Sequence, residues 1–151
     1  MNQSERRRYL IQELLDEQKE YSHFSIPEDS VGQKDLLRGL LNVRAPKMLS
    51  GEFLKIQDEY LKEETEKKGI TELADLTPVE QGIYLWQGDI TTLRCDAIVN
   101  AANSGMTGCY APNHKCIDNC IHTFAGAQLR YECAQMMKAQ GHEEPTGQAK
   151  I

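Results

Sequence analysis

An α/β fold behind a helical N-terminal extension is what this 151-residue sequence predicts, and three observations predict it. Apolar side chains recur at helical intervals through the first half of the chain. From Gly82 the period shortens to that of strands. An apolar run, a long amphipathic stretch and a second short run then follow in the order of a parallel βαβ unit. Residues 1–81 are thus the extension and residues 82–151 the α/β part.

The elements follow in chain order. Leu10, Ile11, Leu14 and Leu15 fall on one side of a first helix, and Leu36, Leu37, Leu40 and Leu41 repeat the spacing in a second, closed by Pro46. Ser50 is placed to cap a third, whose stripe is Phe53, Ile56, Tyr60 and Leu61 beneath the charged run Lys62 to Lys68. These stripes predict packing against each other or a sheet, and nothing in residues 1–81 suggests chemistry. Thr77-Pro78 marks a turn or helix start. Ile83-Tyr84-Leu85-Trp86 reads as a strand ending at Gly88-Asp89-Ile90-Thr91, and Asp96-Ala97-Ile98-Val99-Asn100 as a strand buried on both faces. Ile117, Ile121, Phe124, Ala125, Leu129, Cys133 and Met136 predict one long helix stopping at Gly141, and Gln148-Ala149-Lys150-Ile151 looks like the start of a further strand.

Composition excludes some function classes. With Lys+Arg 17 against Asp+Glu 23, the formal net charge is -6, so a nucleic acid would meet a repulsive field. The one basic cluster, Arg6-Arg7-Arg8, is flanked by carboxylates and reads as a solvated helix face, so no specific nucleic-acid partner is expected. No apolar run approaches the roughly 20 residues needed to span a bilayer, and Met1-Asn2-Gln3-Ser4 lacks the apolar segment of a secretory signal. The expected compartment is the cytoplasm, with no membrane partner. There the five cysteines are read as thiols or metal ligands rather than disulfides.

In α/β proteins ligands bind at the carboxyl ends of strands, and here those ends carry small and polar residues. Ala101 and Ala102 let a ligand approach the backbone, Asn103 offers both donor and acceptor to sugar hydroxyls, and Asp89 can accept from an exocyclic amine such as that of adenine. Spacing alone leaves the alternative open, since asparagines after strands often serve as turn formers.

Gly88-Asp89-Ile90-Thr91, then Val99-Asn100-Ala101-Ala102-Asn103-Ser104, then Ile117-Asp118-Asn119-Cys120-Ile121-His122 with Ala125-Gly126, together resemble the signature of macrodomains, which bind ADP-ribose. The resemblance covers residues 82–151. It implies a three-layer α/β/α sheet, mixed in the complete domain and truncated here. It also implies that Asp89 contacts the adenine amino group, that the Ile90 backbone seats the adenine, and that Asn103 holds the distal ribose. The loop after Asn103 would then wrap the end of the ligand where a bond is broken.

Where many macrodomains have a glycine run, this chain has Gly108-Cys109-Tyr110-Ala111-Pro112-Asn113-His114-Lys115-Cys116, a C-x4-H-x-C cluster. Thiolates and imidazole are preferred zinc ligands, and three protein ligands suit a catalytic site that keeps a position open. Spacing alone does not separate this reading from two ordinary loop thiols and a solvated histidine. The insertion and the N-terminal extension are, however, similar to those of the zinc-containing microbial macrodomains. That resemblance implies hydrolysis of mono-ADP-ribose from modified proteins, with partnership by a sirtuin-like ADP-ribosyltransferase and a lipoylated carrier protein.

The expected mechanism has zinc on Cys109, His114 and Cys116, beside the distal ribose or a water that attacks the glycosidic link. Asp118 would orient or deprotonate that water, or instead stabilise the helix start, and Asn103 would fix the sugar. Cys95, Cys120 and Cys133 are assigned to packing, His122 to a hydrogen-bonded structural role and His142 to solvent. The alternative is a reader that binds ADP-ribose without cleaving it, for which a donor cluster has no use. A sheet ending at Ile151 would leave edge groups and apolar surface uncovered, so this stretch by itself is expected to be inactive and poorly stable.

Overall fold

A computed structural model describes residues 1–151. Three helices form the N-terminal region: α1 (Gln3–Glu17), α2 (Ser30–Val43) and α3 (Gly51–Lys68). Each starts at a residue whose side chain accepts a free backbone amide: Asn2 takes that of Glu5, Asp29 that of Gly32, and Ser50 that of Phe53. Their apolar stripes meet in one core of Leu10, Ile11, Leu14, Leu15, Leu37, Leu40, Leu41, Phe53, Ile56, Tyr60 and Leu61. Leu10, Ile11 and Leu14 are at most 1% exposed. Truncating any one to alanine would cost about 2–5 kcal/mol, because a close-packed surround refills such a hole only partly.

The arginine cluster departs from the solvated face expected of it. Arg7 is buried, donating through Nε to Gln33 Oε1 at 3.0 Å, and Arg6 pairs with Glu59 and Glu63 of α3. The helix is short of apolar residues near its N-terminus, so arginine stems cover the core edge while their heads find partners across the bundle.

After α3 the chain is α/β with small sheets. Strands β1 (Thr71–Glu72) and β4 (Leu93–Arg94) pair in parallel, while β2 (Pro78–Glu80) and β3 (Ile83–Tyr84) pair antiparallel. Glu72 and Arg94, partners in register, also pair through their side chains at 2.7 Å. The chain closes with α4 (Ile117–Phe124) and α5 (Ala127–Gln140).

Five stretches differ from the sequence expectation. The strand over 83–86 is shortened to β3, and its partner is the Pro78 segment expected to turn or start a helix. Residues 96–100 and 148–151 are not strands, and Val99 is 86% and Leu85 83% exposed. A strand persists only when its amides and carbonyls find a ladder, and neither stretch is paired with another. The long helix is divided at Gly126, where φ is +91°. There Gln57, fully buried on α3, accepts the Ala127 amide at 2.9 Å and restarts the helix as α5. Its C-terminus is as expected, with Gly141 left-handed at φ +76°.

Candidate metal and ligand site

The loop from Asn100 to Asp118 is tied at both ends to one carboxylate. Asp118, in the first turn of α4 and 6% exposed, accepts from Asn100 Nδ2 through Oδ1 at 2.8 Å and from Asn103 Nδ2 through Oδ2 at 3.3 Å. Helix capping, its competing role, falls instead to Cys116, whose sulfur accepts the Asn119 amide at 3.4 Å. Asp118 is thereby free to hold asparagine side chains rather than its own helix.

Asn103 is held in a defined pose. Its Nδ2 also donates to the Gly108 carbonyl at 3.2 Å, and its Oδ1 accepts the Gly105 amide at 3.0 Å, an Asx turn that reverses the chain. Both amide hydrogens are used, and one lone pair of Oδ1 stays open toward solvent, since the residue is exposed. An incoming hydroxyl would therefore be met by an acceptor. Ala101 is exposed beside it.

His122 lies one turn beyond Asp118, buried, with Nε2 3.6 Å from Asp118 Oδ1. Burial holds its pKa below the usual histidine value; Asp118 opposes this and Arg130 adds to it. Its Nδ1 has no hydrogen-bond partner, nor has Asn100 Oδ1. Gly108, at φ +83°, packs on the imidazole so closely that a Cβ there would lie 2.7 Å from the ring. His122 is therefore structural, as expected, but not through hydrogen bonds: packing and a carboxylate 3.6 Å away hold it.

Between Gly108 and α4 the three expected metal ligands come together. One donor atom each of Cys109, His114 and Cys116 lies within 4.8 Å of the others, and Cys109 Sγ is 3.7 Å from His114 Nδ1. A tetrahedral zinc with bonds of about 2.0–2.3 Å would hold donors on the order of 3.5 Å apart, so the cluster needs only a small contraction. The donor set of two sulfurs and one ring nitrogen fits zinc, and the open side of the exposed His114 leaves room for a fourth ligand. The other thiols are elsewhere. Cys133 is buried and Cys120 half-buried, in keeping with packing, whereas Cys95, also assigned to packing, is exposed, and the strand expected just after it does not form.

Asp89 sits at the start of the 3-10 turn Ile90–Thr92, which packs on α4. Its Oδ1 accepts from the Thr91 amide at 2.9 Å and hydroxyl at 2.6 Å, and its Oδ2 pairs with Lys68 of α3 at 3.2 Å. Partial burial works to raise its pKa, but the Thr91 hydrogen bonds and Lys68 together hold it below the usual aspartate value. The carboxylate is ionised and half-exposed, with acceptor capacity beyond these bonds.

Several residues that sequence reading passed over complete the site. Asn119 donates to the carbonyls of Cys109 and Ala111 at 3.4 and 3.1 Å. Arg38, on α2, donates to the His114 carbonyl at 2.8 Å and to Asn119 Oδ1 at 2.9 Å. Asn42, one turn on, accepts the Asn113 amide at 3.0 Å and donates to Thr123 at 3.0 Å. Arg130 of α5 donates to the carbonyls of Leu41, Asn42 and Arg44 at the end of α2, and to that of Cys109 at 3.2 Å. Asn119 had a signal, as part of the motif at 117–122, and so had Arg130, as a charged residue interrupting an apolar helical face; Arg38 and Asn42 had none.

Residues 99–151 match the family model described as Macro domain. The whole chain aligns at 61% identity with a "Protein-ADP-ribose hydrolase" of Treponema medium, covering 59% of that protein. A Staphylococcus aureus (strain MRSA252) protein of the same name is 45% identical over 95% of this chain and 54% of its own length. A Fusarium oxysporum f. sp. cubense protein named "Probable bifunctional ADP-ribose hydrolase/ADP-ribosyltransferase" is 42% identical over 77% of this chain and 21% of its own. The chain thus spans between half and two thirds of the length of the two hydrolases. No helix is long and apolar enough to cross a membrane.

Proposed function

We propose that this chain is the ribose-binding and metal-binding part of a macrodomain hydrolase that removes mono-ADP-ribose from modified proteins. In this reading residues 82–151 contribute to the macrodomain and residues 1–81 are its helical extension. The observation that carries the proposal is the juxtaposition of the Cys109–His114–Cys116 donor cluster with Asn103 and Asp118, joined through Gly108 and the start of α4. The names of the Treponema and Staphylococcus relatives support the activity.

Asn103 accepts a hydroxyl of the distal ribose on its open lone pair and fixes the sugar against rotation. Asp118 keeps Asn103 in that pose by accepting its Nδ2, and its remaining lone pair on Oδ2 receives or directs the proton of the attacking water. Asp89 accepts the adenine amine, the Ile90 backbone seats the ring, and Ala101 lets the ligand lie against the chain. Cys109, His114 and Cys116 would hold a zinc ion, which when bound supplies Lewis-acid polarisation beside the scissile glycosidic link. A module that only reads ADP-ribose has no use for that donor set.

An ADP-ribosylated protein is the substrate in this account, and the paired activities in the Fusarium relative's name support association with an ADP-ribosyltransferase. The sirtuin-like nature of that transferase, and a lipoylated protein as carrier of the modification, rest on the sequence resemblance alone.

Cys116→Ser and His114→Ala test the reading. Made in the protein at full length, both should lose release of ADP-ribose from a mono-ADP-ribosylated protein, while calorimetric binding of free ADP-ribose persists. Undiminished release by either variant would overturn the role given to the cluster.

A further inference from the structure

We infer that Arg38 and Asn42, on the N-terminal extension, are positioning residues for metal binding: they fix the backbone that presents Cys109, His114 and Cys116 without touching the donor atoms. The inference rests on the metal reading above and adds to it a function for the extension.

Arg38 and Asn42 are four residues apart and therefore share one face of α2. Arg38 grips the His114 carbonyl and, through Asn119, the carbonyls of Cys109 and Ala111. Asn42 grips the Asn113 amide, the residue just before the histidine ligand. Asn113 is one of two non-glycine residues with positive φ, at 56°, so its backbone stands in a conformation that the chain alone disfavours. Gly39, between the two gripping residues, lies against the Asn113 side chain, which a Cβ there would meet at the ordinary contact distance of 3.6 Å. Arg130 closes the network, joining the last turn of α2 to the Cys109 carbonyl.

The loop between Cys109 and Cys116 has no ladder or helix of its own, so these bonds replace regular structure in holding it. Three donors on a loose loop would have to be ordered by the ion, at the expense of affinity. Donors already gathered within 4.8 Å bind it with that ordering done. Outer partners of this kind typically change metal affinity by about 10–100-fold when removed.

The test is zinc affinity, measured by competition with a chromophoric chelator, for the native protein, Arg38→Met, Asn42→Ala and the control Lys34→Met. Lys34 lies on the same helix, is itself exposed, and pairs with Glu64 of α3 rather than with the loop. Arg38→Met and Asn42→Ala should each bind zinc about 10–100-fold more weakly, and Lys34→Met as the native protein does. Amide hydrogen exchange of the metal-free protein should accelerate across 109–116 in the first two variants and be unchanged in the core of α1. If Arg38→Met does not fold, Arg38→Lys and Asn42→Ala carry the test with the same two readouts. Native-like affinity and exchange in folded variants would overturn the inference while leaving the metal reading intact. Failure of the native protein to bind zinc at all would remove both.

Discussion

The side-chain amide of Asn103 donates to Asp118 Oδ2 at 3.3 Å, across fifteen residues of sequence and from a turn to the first turn of a helix. That bond settles which way the asparagine presents itself. Both hydrogens of its nitrogen point inward, to Asp118 and the Gly108 carbonyl, and its oxygen accepts the Gly105 amide; in the proposed role the lone pair that remains meets the ligand.

Asp118→Ala should therefore damage two properties together. It leaves the amides of Asn100 and Asn103 without their acceptor, at about 1–3 kcal/mol of stability for each group that stays buried and unsatisfied. It also releases Asn103, and misplacing a positioning group by about 1 Å is worth on the order of 100-fold in turnover. Asn103→Ala should lose the turnover but little of the stability, because the residue is exposed. Melting curves and single-turnover release of ADP-ribose separate the two variants.

Gly108→Ala combines a left-handed backbone with a collision. The same change at Gly147, with nearly the same φ of +82° and open space around it, is the reference for the backbone effect alone. We expect Gly147→Ala to cost about 1 kcal/mol and Gly108→Ala a further 1–3 kcal/mol from overpacking against His122. Denaturant unfolding of both variants measures the difference.

His122 makes stability depend on pH with a definite sign. Its folded pKa is below the unfolded value of 6.5, since burial and Arg130 outweigh Asp118, so the unfolded chain binds more protons in the window between the two. Stability should rise with pH through that window, be complete above about 6.5, and fall as pH drops toward the folded pKa. His122→Gln should flatten this limb of a melting-temperature profile taken between about pH 5 and 8. A native profile with no slope there, or an identical slope in the variant, would mean that the imidazole does not titrate as its surroundings dictate.

Asp89→Ala removes both the cap of the 90–92 turn and the partner of Lys68. The lost cap is worth about 1 kcal/mol. The half-exposed ion pair adds little to that. ADP-ribose affinity should fall more than stability does, and calorimetry with adenosine-free ribose 5-phosphate should show no effect.

The helical region was legible because its information is local. Ser50 before Phe53 and the four-residue stripes of α1 to α3 each state a cap or a buried face within a few positions. The Cys109–His114–Cys116 donors lie within eight positions, so their gathering was visible as a candidate, though spacing alone did not separate a metal cluster from ordinary loop side chains. Strands were not legible, because Asp96–Asn100 has the composition of a buried strand, yet pairing depends on a distant neighbour that periodicity cannot report. The break at Gly126 depends likewise on Gln57, seventy residues away. Arg38 and Asn42 carried no signal, because a polar residue on a helix looks the same whether it faces water or the backbone of another segment.

The account depends most on zinc at the loop cluster being necessary for the reaction. The direct measurement is release of ADP-ribose by the protein at full length, as purified, after removal of metal with a chelator, and after zinc is restored, with metal content read by mass spectrometry at each stage. The account predicts stoichiometric zinc, loss of release on its removal and recovery on its return. Unchanged release by protein shown to be free of metal would contradict it.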